Sequence, residues 1–69
     1  MVEVFKTNVN TKKEAFRVLK ILAEKFPHLK INFDLRDCDR ILRIEGDEIS
    51  PLKIIHILQA ERYLCAALE

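Results

Sequence analysis

Tyr63-Leu64-Cys65-Ala66-Ala67-Leu68 decides the fold of this chain. Alanine and leucine favour helices, so the stretch reads in one way as the continuation of a helix before it. It reads in another way as a last strand. The apolar spacing through Leu52, Ile54, Ile55 and Leu58 changes near Glu61. The elements upstream would also leave a sheet edge unpaired without it. A strand is therefore the expectation for residues 63–68.

Working back from that end, Ser50-Pro51 is a helix start, with serine as N-cap and proline at the first helical position. Ile49 and Ile54 stand at the spacing of a hydrophobic staple around it. Leu52, Ile54, Ile55 and Leu58 are expected to form the buried stripe. Before this helix come two short runs of alternating character. Ile31, Phe33 and Leu35 alternate with Asn32 and Asp34. Arg40 to Glu45 puts Leu42 and Ile44 on one face, Ile41 and Arg43 on the other. The polar turn Arg36-Asp37-Cys38-Asp39 joins the runs, and Gly46-Asp47-Glu48 ends the second.

Further back, Thr11-Lys12-Lys13-Glu14 has the spacing of a capping box. Ala15, Val18, Leu19, Leu22 and Phe26 then recur at three-to-four spacing, with Lys13, Arg17, Lys20 and Glu24 opposite. Pro27 disfavours helical geometry at Phe26 and stops the helix there. Val2 to Val9 mixes apolar and polar residues as a strand does. The order is βαββαβ. It predicts an α+β ferredoxin-like sandwich, a four-stranded antiparallel sheet with two helices on one face. Right-handed crossovers put the first and third strands at the centre and the second and fourth at the edges. Thr11, Glu14, Asp37, Cys38 and Asp39 should then gather at one end of the domain.

Sixty-nine residues make a single domain, 1–69. A core of this size supplies only a few kcal/mol, about 3–5. Two cysteines, Cys38 and Cys65, form neither a disulfide framework nor a paired-cysteine metal site. Oligomerisation is the remaining common source of extra stability. A net charge of +1 gives no electrostatic case for nucleic acid or an anionic membrane. The N-terminus is not a signal peptide, and the longest apolar run is too short for a bilayer. Reduced thiols and no targeting segment place the chain in the cytoplasm as an expectation.

In element order, in spacing and in the ending Tyr63 to Glu69, the chain resembles the heavy-metal-associated domains of copper chaperones and metal-transporting ATPases. That family holds a soft metal through Gly-Met-x-Cys-x-x-Cys in its first loop. The matching stretch is Asn8-Val9-Asn10-Thr11-Lys12-Lys13-Glu14, with Thr11 and Glu14 where the cysteines would stand. A hydroxyl and a carboxylate cannot replace two thiolates for Cu(I). The resemblance implies the fold and a divergent member without the metal motif. No cofactor is expected.

Two candidate sites follow. Asp37, Cys38 and Asp39 with Glu14 could hold a hard or borderline divalent cation, although aspartates in a tight turn also serve their own backbone. The outer sheet face is the other. If Tyr63, Cys65 and Ala67 point to the helices, then Leu64, Ala66 and Leu68 point away, with Phe5 and Ile41 beside them. Such a patch, with an uncharged edge strand, marks association with a second copy or a protein partner. Five basic residues, Lys12, Lys13, Arg17, Lys20 and Lys25, make the first helix basic; they could touch an acidic partner or nucleic acid, although surface helices ordinarily carry such residues as a solvated face. His28 and His56 fall in different regions and suggest no pair. Acylphosphatase shares the fold type, but the first loop has no arginine for a phosphate. The expected function is a non-enzymatic binding or self-association module; the alternative is a divalent metal binder.

Overall fold

The computed structural model describes residues 1–36 and 40–68. Its elements run β1 (Val2–Thr7), α1 (Lys12–Lys25), β2 (Lys30–Asp34), β3 (Ile41–Glu45), α2 (Pro51–Ala60) and β4 (Cys65–Leu68). The sheet order is β2-β3-β1-β4, with every pairing antiparallel. The expected βαββαβ frame is therefore present, with β1 and β3 central. It is a small α+β domain consistent with a ferredoxin-like fold.

Register sorts the side chains. Phe5 lies opposite Leu42 and Ala67, and Ile44 opposite Ile31. Phe5, Leu42, Ile44 and Cys65 from the sheet are buried with Val18 and Leu22 of α1 and Ile54 and Leu58 of α2 in one core. Both helices thus cover the same sheet face. Glycine is needed at Gly46, where φ is +146° and a Cβ would stand 2.5 Å from Leu29 Cδ2.

The capping box forms as the sequence predicts. The Thr11 hydroxyl accepts from Glu14 N at 3.1 Å, and Glu14 Oε1 accepts from Thr11 N at 3.2 Å. At the second helix Ile49 and Ile54 are both buried, as a staple requires. Ser50 is the N-cap, but its side chain makes no capping hydrogen bond. The buried stripe of α2 differs from expectation at Leu52, which is 68% exposed. At about 100° per residue, Ile54 and Leu58 share one direction while Leu52 points well away from it.

What stops α2 is its last turn. Tyr63 N donates to Leu58 O and Arg62 N to Gln59 O, both at 2.9 Å, and Arg62 has φ +70°. This is the bond pattern of a Schellman motif, with arginine in the left-handed position that glycine usually fills. It turns the chain out of the helix and into β4. The strand begins at Cys65, two residues later than expected, because Tyr63 is spent in that turn.

Candidate functional site

The alternation of the strands builds the outer face. Val2, Val4 and Lys6 of β1, Lys30, Asn32 and Asp34 of β2, Ile41, Arg43 and Glu45 of β3, and Ala66 and Leu68 of β4 all point away from the helices. Leu64 continues the β4 row. Its backbone N–H donates to Asn8 Oδ1 at 2.8 Å, which ties the start of β4 to the end of β1.

Leu64 is 71% exposed and Leu68 39%, and Ala66 is exposed between them. Leu68 lies opposite Val4, and Ala66 opposite Lys6. Val2, also exposed, lies further along β1. The apolar stripe is therefore Val2, Val4, Leu64, Ala66 and Leu68. Two residues of the expected patch stand elsewhere. Phe5 is fully buried, because it is opposite Leu42 and Ala67 on the helix side of the sheet. Ile41 is on the outer face but is separated from β4 by Lys6 of the intervening strand. Val2 and Val4 were the missed members. Their signal was available: once Phe5 faces inward, its even-numbered neighbours must face outward.

The β4 edge is apolar on its other side too. Ala67 faces the helices yet is exposed. Further in, Cys65 is a free, buried thiol whose pKa burial pushes up to about 11. It stays protonated at neutral pH and acts as a small apolar residue.

Glu14, the proposed ligand in the first loop region, is committed to structure. Oε1 accepts from Asn10 N, Thr11 N and Thr11 Oγ1 at 3.0–3.3 Å, and Oε2 accepts from Tyr63 Oη at 3.3 Å. The Thr11 hydroxyl, above all, holds the carboxyl below its ordinary pKa; partial dehydration opposes this, and the two amides and Tyr63 add to it. Tyr63 is shifted upward by lost hydration and by the Glu14 charge. This contact brings the first loop and the α2–β4 junction to one end of the domain, as expected. Asp37, Cys38 and Asp39 lie outside the described residues. Among the described residues no group of three or more His, Cys, Asp or Glu side chains is placed to hold a metal ion. No helix of the described residues is long and apolar enough to cross a membrane.

Fold and surface together define a small α+β domain with one exposed apolar sheet margin. No model of a known protein family matches the chain, and no curated protein does.

Proposed function

We propose that this protein is a non-enzymatic self-association module that dimerises by pairing β4 with β4 of a second copy. The observation that carries this reading is the exposed row Leu64-Ala66-Leu68 on an uncharged edge strand. Contiguous exposed apolar residues on an unprotected edge favour association. In this reading the chain is a divergent relative of heavy-metal-associated domains, keeping the frame without the thiol pair.

Strand geometry selects the register. Leu64 N points toward β1, so by alternation the N–H and C=O groups of Cys65 and Ala67 point to the free edge. A two-fold pair that keeps both sheets continuous must centre on a residue, because directly opposed side chains share a face. Centring on Ala66 pairs Leu64 with Leu68 of the second copy, twice. Cys65 and Ala67 then exchange main-chain hydrogen bonds with Ala67 and Cys65 of the partner. Centring on Ala67 would instead pair Leu68 with Ala66 and separate it from Leu64. So short an interface makes a weak dimer, with a Kd of micromolar or above, on the order of other small transient contacts.

Cross-linking tests this. Opposed residues that are not hydrogen-bonded have Cα atoms about 4.5 Å apart, within disulfide range. Ala66→Cys, in a background with Cys38→Ser and Cys65→Ala, should oxidise to a disulfide-linked dimer. Light scattering should give a dimer for the parent and a monomer for Leu64→Lys. Equal monomer masses for both at millimolar protein would reject the reading.

A further inference from the structure

We propose that the groove between α1 and the free edge of β2 binds an extended, acidic segment of a partner protein, which adds to the sheet as a fifth strand. The groove is an open cleft of about 650 Å³. Ala15, Phe16 and Leu19 line it from α1, and Phe33 and Leu35 from the β2 side. Phe16, 70% exposed, forms part of the groove wall. This site lies across the sheet from β4 and does not depend on self-association.

Main-chain phase makes the edge usable. Gly46 N donates to Met1 O at 3.0 Å, so the odd-numbered residues of β1 bond toward β3. Following the register outward, Leu42 and Ile44 bond toward β1, and Ile41, Arg43 and Glu45 bond toward β2. Their partners Asp34, Asn32 and Lys30 are used in turn. Among the described residues no strand pairs with the other side of β2, toward which the N–H and C=O groups of Ile31 and Phe33 are directed. An added strand would satisfy them, and every second side chain of it would fall into the groove under α1.

Charge selects the occupant. Lys12 and Arg36 line the groove itself, and Lys13 and Lys20, three before and four after Phe16, flank it on the adjoining helix surface. The acids of α1 are Glu14 and Glu24, and Glu14 is held in the capping box. Asp34, the acid at the groove, accepts from Arg36 N at 3.1 Å and has the Arg36 guanidinium at 3.8 Å. A second copy docked at this edge would bring two lysine-bearing helices alongside each other. A segment alternating glutamate or aspartate with valine or isoleucine meets the lysines with opposite charge and the aromatic floor with apolar side chains.

The test uses a fluorescent synthetic peptide alternating glutamate with valine, and a second with lysine in place of glutamate. Polarisation should show saturable binding of the first and at least about tenfold weaker binding of the second. Phe16→Ala and the pair Lys12→Glu with Lys20→Glu should each weaken the first peptide by about tenfold, and added salt should weaken it further. All three sites are exposed, so the variants should fold; circular dichroism checks it. Amide exchange should slow at Ile31 and Phe33 on binding. Leu64→Lys protein should bind as the parent does, which separates this site from β4. Equal binding of both peptides, protection at Cys65 and Ala67 instead, or no saturation at millimolar peptide overturns the proposal. So does slowed exchange at Ile31 and Phe33 on concentrating the protein alone, since a second copy would then occupy the edge.

Discussion

The two edges of the sheet face the same problem and meet it differently. β2 shows Lys30, Asn32 and Asp34 on its outer face and has α1 beside its inner face. β4 shows Ala66 and Leu68 outward, with Ala67 exposed on the helix side. Charge on an edge strand discourages unselective pairing, and β4 has none. Nearby helices then set what each edge accepts. The lysines of α1 turn β2 toward acidic chains and away from a second copy. Beside β4 the outer face carries Leu64, Ala66 and Leu68 next to Val4, with Lys6 opposite Ala66, so a two-fold apolar contact is open to it. An edge strand is thus read from its neighbours as much as from its own residues.

The largest expected effect comes from breaking the contrast outright. Leu64→Lys places a charge at both ends of the two-fold contact and should weaken self-association by about a hundredfold or more, since each substitution counts twice in a symmetric pair. Sedimentation over a concentration series measures it. Phe16→Ala should leave that dimer unchanged.

Thr7 sharpens the comparison from the strand between the edges. It is buried opposite Cys65, donates to Arg40 O at 2.7 Å and receives Val9 N at 3.3 Å. Thr7→Val should cost about 1–3 kcal/mol by leaving buried groups unpaired. Urea unfolding reads the loss. Gly46→Ala should cost a comparable amount, about 1–3 kcal/mol, through the left-handed φ and the contact with Leu29 beside β2. Amide exchange should then quicken first at β2, leaving β4 closer to the parent.

A smaller and opposite change is expected at Arg62. Glycine relieves the left-handed conformation at the turn into β4, and the added freedom of the unfolded chain offsets part of the gain. Arg62→Gly should raise stability by about 0.5 kcal/mol.

The smallest effect is in pH. Glu14 has its pKa lowered by folding, so its contribution is present above the unfolded value and fades as pH falls through the folded one. Tyr63 has its pKa raised, so its contribution is present below the unfolded value and fades as pH rises through the folded one. The melting temperature should fall gently at both limits. Glu14→Gln should flatten the acid limb relative to the parent.

Much of the frame was legible in local signals. The Thr11–Glu14 box, Pro27, and the Ser50-Pro51 start with Ile49 and Ile54 each act within a few residues, and each stands where it was expected. Leu52 and Phe5 show the limit. Leu52 is apolar and close to the stripe in sequence, but its angle around the helix puts it in solvent. For Phe5 the β1 pattern does not say which face is covered; its pairing with Leu42 and Ala67 does.

By itself the sequence determined where helices begin, which residues alternate and the order of elements, because capping, proline geometry and side-chain period are short-range effects. Only the tertiary structure decided which side of the sheet the helices cover, that Arg62 turns α2 into β4, and that Phe16 stands open beside a free edge. Those outcomes depend on residues far apart in the chain meeting across strands, and no local pattern encodes that meeting.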